Sequence, residues 1–417
     1  MTTPIFVWGA VPSPSTFGYA PFGISASWNG AITARQGQTA ISGAIGNLTV
    51  SSPIAISTNY YTNTLYVNSN PTSLVCSVGV GGTNLGTTTF CADNAHSVTV
   101  NSGDLVTVRS DVPGGAATTY TAAPRVSATI TSVNGQEQWL PLWLGIPSAT
   151  AINYVGLAAA ASATEGLVSF VVADPGAITG LRGYLEGTAA GAGKWWQFTV
   201  FQNGVATAII AGDSANCGGA SSLQCFDYAH SITVAAGDVI SVQICPTATS
   251  ALGTGCPVSA LGAPAAANIA LGLRFVPANA NHGLLFTVPV TLPPVSVANN
   301  FLAATGNLGA GTTEALGQVV APVNMTVGGL FATQCPGPGA AVTRSVTLRS
   351  NGVSQSPTVI VPSGATACPT LSPAPQDNTH TYSVPSGALL DELTLLNTVT
   401  GAATVTEFKT GMWGTVP

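Results

Sequence analysis

The sequence predicts an all-β protein built as three tandem β-sandwiches, and three observations carry that expectation. The first is composition. Of 417 residues only 6% are charged, Gly (48) and Pro (28) are abundant, and aromatic content is 7%. Short β-branched runs are broken throughout by Gly, Pro, Asn and Ser, with no long Ala/Leu/Glu/Lys stretches. The second is a long-period repeat. NAHSVTVNSGDLVTV (residues 94–108) returns as YAHSITVAAGDVISV (228–242) and, in worn form, as NTHTYSVPSGALLDE (378–392). Anchored on His96, His230 and His380, the copies lie 134 and 150 residues apart, a domain-sized period. The third is that further landmarks recur in the same order around each anchor.

Each copy opens similarly: GAVPSPSTFGYAPFG near Gly9, GIPSATAINYVGL near Gly145 and VTLPPVSVANNFLAA near Val290. Next come GAIGNLTV (Gly43–Val50), GAITGLRGYL (Gly176–Leu185) and VNMTVGGLF (Val323–Phe331). A strand segment follows: NTLYVNSN, WQFTVFQNG (Trp196–Gly204) and RSVTLRSNG (Arg344–Gly352). The last two end in Asn-Gly, the strongest short hairpin signal. Boundaries fall at the polar joints NGQEQ (Asn134–Gln138) and PANAN (Pro277–Asn281), so the units are residues 1–138, 139–280 and 281–417. Joints this short predict that the units pack on one another.

The anchor stretch itself reads as a hairpin with one buried and one wet face. Val98 and Val100 alternate with Ser97 and Thr99, residues 101–104 turn, and Val106 and Val108 resume the alternation. Ile232, Val234, Ile240 and Val242 repeat the pattern, as do Tyr382 and Val384. Gly103, Gly237 and Gly387 supply the backbone freedom of the turn. A sandwich of this size and punctuation is most economically a jelly roll.

Charge and hydropathy exclude several classes of function. Net charge is −6 and the nine Lys and Arg are scattered singly, which argues against nucleic acid and membrane surfaces as partners. Mean hydropathy is positive, yet the two best apolar spans are interrupted by Glu165 and Arg274 and are rich in small residues. The N-terminal MTTPIFVWGAV lacks the basic region and apolar length of a secretion signal, so synthesis in the cytoplasm is expected.

The eight Cys show no zinc spacing and read as disulfides formed in oxidising surroundings. Cys91 and Cys225 each stand five residues before an anchor His, with Cys76 and Cys217 just upstream. The expected bridges are Cys76–Cys91, Cys217–Cys225, Cys245–Cys256 and Cys335–Cys368, each within one unit. Cytoplasmic synthesis followed by life outside the cell fits a virion component released by lysis.

The pairs Asp93/His96, Asp227/His230 and Asp377/His380 recur in all three units. A catalytic base or metal site would use such pairs. No nucleophile or third ligand recurs beside them, so a turn cap is the better reading. Gly-Asp at 103–104 and 237–238 reads as turn chemistry too, since calcium needs more converging oxygens and the third copy has Ala388. Lys194-Trp195-Trp196 is the sharpest aromatic cluster. Alternation points one ring inward as core and the other outward; either ring is a candidate for stacking on a sugar or anchoring a partner, but packing or cover by a neighbouring domain is the better reading. Tyr60-Tyr61 stands in a similar place in the first unit, whereas the third offers Ala340-Ala341. No phosphate loop, dinucleotide fingerprint, metalloprotease helix or nucleophile elbow is present, and no cofactor is implied.

The series Asp-x-x-His-Ser-Val-x-Val-x-x-Gly-Asp-Leu-Val-x-Val, carried by Asp93–Val108, Asp227–Val242 and less closely Asp377–Leu390, resembles the jelly-roll heads related to the C1q and tumour-necrosis-factor fold. Such modules occur in bacteriophage fibre and capsid-decoration proteins and in bacterial spore-surface filaments. The resemblance implies trimerisation through the sides of the sandwiches, here as a covalent pseudo-trimer. The expected function is a non-enzymatic virion structural protein, a decoration (cement) or fibre component. Its expected partners are a major capsid or other virion protein and further copies of itself. A carbohydrate- or receptor-binding adhesin and an extracellular filament subunit are the alternatives. The apolar segment Pro4–Val11 is expected to act as an arm that adds to a neighbour's sheet.

Overall fold

A computed structural model describes residues 1–7, 17–22, 29–52, 56, 60–79, 89–112, 124–156, 161–186, 190–212, 223–248, 256, 264–265, 268–286, 300–303, 314, 318–335, 342–361, 375–398 and 407–417. The first group of strands is β1 (Thr2–Val7), β2 (Phe17–Ala20), β3 (Gly37–Gln38), β4 (Gly43–Ser51), β5 (Tyr60–Val67), β6 (Asn70–Gly79), β7 (Phe90–Val100), β8 (Leu105–Asp111) and β9 (Arg125–Ser132). The second is β10 (Gln138–Gly145), β11 (Asn153–Val155), β12 (Phe170–Val171), β13 (Gly176–Glu186), β14 (Trp195–Gln202), β15 (Val205–Ala211), β16 (Gln224–Asp227), β17 (Ile232–Val234), β18 (Val239–Thr247) and β19 (Asn268–Pro277). The third is β20 (His282–Phe286), β21 (Asn300–Ala303), β22 (Val319–Val320), β23 (Met325–Cys335), β24 (Val342–Ser350), β25 (Val353–Val361), β26 (Gln376–Val384), β27 (Leu389–Thr398) and β28 (Glu407–Thr415).

All pairings between these strands are antiparallel, and each group forms two sheets by the same path. In the first unit one sheet runs β1-β9-β4-β7 and the other β2-β8-β5-β6, with β3 also on β8. The second unit repeats this as β10-β19-β13-β16 and β11-β18-β14-β15, with β17 on β13 and β12 on β18. The third gives β20-β28-β23-β26 and β21-β27-β24-β25, with β22 on β27. Within the first unit Ile45, Leu48, Val100 and Ile130 from one sheet share a core with Leu65, Leu74, Val106 and Val108 from the other, which makes it a β-sandwich.

The anchor stretch is not a hairpin. β7 pairs with β4, whereas β8 pairs with β2, β3 and β5, so the turn at 101–104 carries the chain from one sheet to the other. The same crossing separates β17 from β18 and β26 from β27. Alternation and a turn signal specify two strands with inward residues. They do not specify whether those strands hydrogen-bond to each other or face each other across a core. Gly103, Gly237 and Gly387 do hold the left-handed backbone of the turn, at φ 101°, 93° and 80°.

The true hairpins are β5–β6, β14–β15 and β24–β25, two of them at the Asn-Gly signals. Asn203-Gly204 and Asn351-Gly352 have φ of 52°/78° and 52°/80°, and Asn68-Ser69 has 50°/67°, as a type I′ turn demands. Each turn Asn also locks its hairpin onto the next strand. Asn68 Oδ1 accepts from the Leu105 N–H at 2.9 Å, and Asn203 and Asn351 do the same for Val239 and Leu389.

Two expected disulfides are present, Cys76–Cys91 and Cys245–Cys256, with Cα–Cα distances of 5.9 and 5.6 Å. Cys225 is also disulfide-bonded. Cys217, Cys368 and the Cys335 side chain lie outside the described residues. Cys76–Cys91 ties β6 to β7, and therefore one sheet to the other, across a sequence separation of 15 residues. Replacing both cysteines by Ala is expected to cost about 3 kcal/mol, read from the shift of the urea transition; a loss below about 1 kcal/mol would refute a stabilising role.

The N-terminal segment does not project as an arm. Residues 2–7 pair with β9 of their own unit, Thr2 opposite Thr131 and Val7 opposite Val126; residues 8–11 lie outside the described residues. β9 would otherwise be an exposed edge, which explains why an apolar strand at this position is consumed internally.

The units pack in a cyclic order. β3 of the first lies against β10, β13 and β19 of the second; β12 of the second against β23 and β28 of the third; β22 of the third against β4 and β9 of the first. Large side chains cross each seam in the same sense. Trp139 of β10 is buried in the first unit's core, Leu284 and Phe331 of the third in the second's, and Phe6 of β1 in the third's. Sheets carrying β9 and β19 are consequently covered on both faces. Residues 125–130 are all buried, Ser127 and Thr129 included. Thr129 Oγ1 donates to the Gly46 carbonyl at 3.3 Å, and an uncharged side chain there escapes the desolvation penalty of a charge, which fits the scarcity of Lys and Glu.

Candidate functional site: repeated carboxylate turns and the clefts between units

Asp93, Asp227 and Asp377 occupy one register position, opposite Leu48, Leu181 and Leu330 just past a bulge. Each carboxylate is largely buried and does the same work. Asp93 Oδ2 accepts the Val75 N–H of β6 at 3.0 Å, and Oδ1 accepts the N–H groups of Ala95 and His96. Asp227 receives Ile210, Ala229 and His230 in the same way, and Asp377 receives Thr358, Thr379 and His380. One buried oxygen pair thus caps a local turn and satisfies an N–H of an edge strand belonging to the other sheet.

The paired imidazoles lie outward. His96, His230 and His380 are 49%, 56% and 61% exposed, and Nδ1 of each rests on its Asp at 3.0, 2.9 and 3.0 Å. Among the described residues no three His, Cys, Asp or Glu side chains converge as a metal site would require. Asp104 and Asp238 likewise close turns. Asp104 accepts the Asn101 N–H and the Asn68 amide, and Asp238 those of Ala235 and Asn203.

Burial pushes the Asp93 carboxyl up, but the Val75 N–H and the His96 and Ala95 donors outweigh it and hold its pKa below the ordinary value. Asp377 behaves alike and is held at about 2 by the Thr358, His380 and Thr379 donors. A depressed carboxyl stabilises the fold above its unfolded pKa, and this contribution is lost as pH falls through the folded value. Stability is therefore expected to drop between about pH 4 and pH 2. Asp377→Asn should remove about 1–2 kcal/mol of that acid-sensitive part after solvent screening, measured by urea titration at each pH. An unchanged pH profile in this variant would sink the assignment.

Trp196 is fully buried and Trp195 half-buried, so alternation places the two rings as expected. Register also equates Trp195-Trp196 with Tyr60-Tyr61: Gln202 lies opposite Ile240 as Val67 lies opposite Val106. Tyr61 is buried like Trp196, and Tyr60 is half-buried like Trp195. The third-unit counterpart is not Ala340-Ala341, which lies outside the described residues. Ser350 opposite Leu390 sets the register, and the equivalent pair is Thr343-Arg344. Arg344 is fully buried, and burial lowers its pKa to about 10. Sequence similarity missed this match because an arginine stands where the other units have an aromatic ring.

The clefts between units were not legible in the sequence. Between the first and second units, Tyr228 lies over Gly180, where a Cβ would overlap its ring. Its hydroxyl meets Ser102 Oγ at 2.8 Å and donates to the Ala40 carbonyl at 3.2 Å. The Arg274 guanidinium lies 4.7 Å from that ring, and Arg182 donates to Ser102 Oγ at 3.1 Å. Between the second and third, the Trp413 ring lies on Gly328 and Gly329 and stacks on His282 at 4.1 Å. His282 Nδ1 is 3.3 Å from Asp174 of the second unit.

Comparison with models of known protein families and with curated protein sequences finds no match. The functional reading therefore rests on the chain itself.

The third cleft closes the cycle. Thr49 Oγ1 donates to the Pro322 carbonyl at 3.3 Å, and Arg125 donates to Gln318 Oε1 at 3.0 Å. Lys409 occupies the register position of Arg125 and donates to Ser169 Oγ at 2.7 Å across the second cleft. Beside these contacts the third cleft opens into a depression of about 510 Å³, lined among others by Asn47, Asn94, Pro322, Asn324 and Ser386.

Proposed function

We propose that the chain is a covalent pseudo-trimer of three jelly-roll domains with a structural, non-enzymatic role, a decoration or fibre component of a virion. The observation that carries this reading is the cyclic order of contacts, with β3, β12 and β22 each lying on the next unit's sheet and the last returning to the first. Heterologous contacts that close in three steps present three similar outer surfaces around one axis, which suits a site of local threefold symmetry on a shell. The two-sheet paths, in each of which the sheet's first strand pairs with its last, support the jelly-roll part of this reading. Exposed Val205, Val353 and Ile360 on β15 and β25 supply apolar area at the periphery, where a shell protein or another copy would bind.

Mass photometry of the purified chain, alone and mixed with candidate virions, tests this reading. A discrete species that saturates a particle surface is the expected result. Open-ended growth without particles would replace it with a filament. A discrete species that ignores every particle would move the assignment to the adhesin, with a glycan screen next.

A further inference from the structure

The lining of the depression in the third cleft restricts the chemistry of what it can hold. Asn47 and Asn94 come from the first unit and Asn324 and Ser386 from the third, with Pro322 and Val323 in its apolar part. None of the lining side chains is charged and none is aromatic, whereas the first and second clefts hold Tyr228 and Trp413. Asn47 is the least expected of these residues. Gly43 opposite Val100, Gly176 opposite Val234 and Met325 opposite Val384 set a register that equates Asn47 with Gly180 and Gly329. Asn47 stands in the β4 bulge at φ 53°, in the left-handed region. Asparagine tolerates that backbone, but glycine adopts it at lower cost, so the bulge by itself does not call for an amide.

Neighbouring hydrogen bonds decide which amide atoms are free. Thr129 Oγ1 donates to the Gly46 carbonyl at 3.3 Å, so it accepts from Asn47 Nδ2 at 2.9 Å. Asn47 Oδ1 is left as an open acceptor. The Ser386 N–H donates to Asn324 Oδ1 at 2.8 Å, which leaves Asn324 Nδ2 as an open donor. The Asn94 amide has no partner among the described residues and offers a donor and an acceptor together. The depression thus holds two anchored amides of opposite free polarity, one from each unit, and a third that can adjust. A hydroxyl group donates and accepts at once, so a pair of hydroxyls on one small molecule satisfies both anchored atoms.

We propose that this depression is a binding site for a neutral sugar residue, with one hydroxyl donating to Asn47 Oδ1, another accepting from Asn324 Nδ2, and the Asn94 amide closing on a third polar group. Its volume of about 510 Å³ lies within the range of small-molecule sites. Pro322 and Val323 supply apolar area for the C–H face of a pyranose. An acidic sugar or a phosphate would find no cationic side chain in the lining, and a planar aromatic ligand would find no ring to stack on. The site is distinct from Trp195-Trp196, whose second ring is fully buried. The inference goes beyond the virion reading and stands equally for a shell decoration, a fibre or an adhesin.

Methyl glycosides of glucose, galactose, mannose and N-acetylglucosamine are the probes, followed through the side-chain amide resonances of the intact chain. At least one should give saturable shifts at Asn47, Asn94 and Asn324, with a dissociation constant in the millimolar range for so small a ligand. Asn47→Gly and Asn324→Ala should each weaken that binding about fivefold, the effect of one lost hydrogen bond. Asn47→Gly suits the left-handed backbone, so its urea transition should be preserved and the loss read as binding alone. No saturable response to any of the four at about 50 mM, or unaltered binding in both variants, would overturn the proposal. Tighter binding of methyl glucuronide than of methyl glucoside would overturn the neutral-sugar assignment. Tighter binding of N-acetylglycinamide than of every glycoside would replace the sugar with a peptide.

Discussion

Trp139→Ala is expected to destabilise the protein by about 3–5 kcal/mol and to loosen the first unit from the second. Trp139 begins the second unit's strands, yet its ring is 1% exposed within the first unit's core. Two glycines make its slot. A Cβ at Gly37 would sit 3.4 Å from the ring's Cζ2, and one at Gly272 would press on the indole nitrogen at 2.8 Å. No neighbouring backbone can collapse into the space, because β3 and β19 are each held by their own sheets. The cavity therefore persists and the loss lies near the upper part of the range for buried aromatics. Urea unfolding followed by limited proteolysis of the 133–137 joint checks both parts. A shift below about 1 kcal/mol, with the joint no more cleavable than before, would show that the ring does not pin the seam.

Asp227→Ala is expected to cost about 3 kcal/mol, although the substitution removes only one small side chain. The carboxylate takes N–H donors from Ile210 at 2.8 Å, Ala229 at 3.0 Å and His230 at 3.2 Å, plus the imidazole. Hydrogen bonds to a charged acceptor contribute about 1.5–3 kcal/mol each, and water can recover part of the total at this rim. Hydrogen exchange at Ile210 should accelerate selectively, because its N–H belongs to an edge strand whose partner is on the other sheet. Asp227→Asn, which keeps one acceptor, should recover roughly half of the stability. A uniform change in exchange across all three units would argue for a global effect and against a local cap.

These two residues mark the limits of what was readable. Asp227 could be interpreted from its place three residues before a His in a recurring turn, because capping is local chemistry. Its second task, holding an N–H on the opposite sheet, could not, since Ile210 is 17 residues away and nothing in the pattern marks their contact. Trp139 gave no signal at all. It sits next to a joint, and side-chain alternation says which way a ring points relative to its own strand, not which unit it enters.

The local alphabet alone determined much about this protein. Apolar alternation specified the strands, Asn-Gly the hairpins, glycine the positions of the turns at 103, 237 and 387 though not what they join, and cysteine spacing the Cys76–Cys91 and Cys245–Cys256 bridges, because each depends on residues close along the chain. Only the tertiary structure decided that β7 and β8 face each other across a core, that β1 closes its own sheet, and that Arg344 stands in the place of Trp196. It alone brought β3, β12 and β22 onto successive units and left the third cleft open beside Asn94. Those outcomes depend on pairings between residues far apart in sequence, where many partners satisfy the same hydrophobic pattern and packing of the whole chain selects among them.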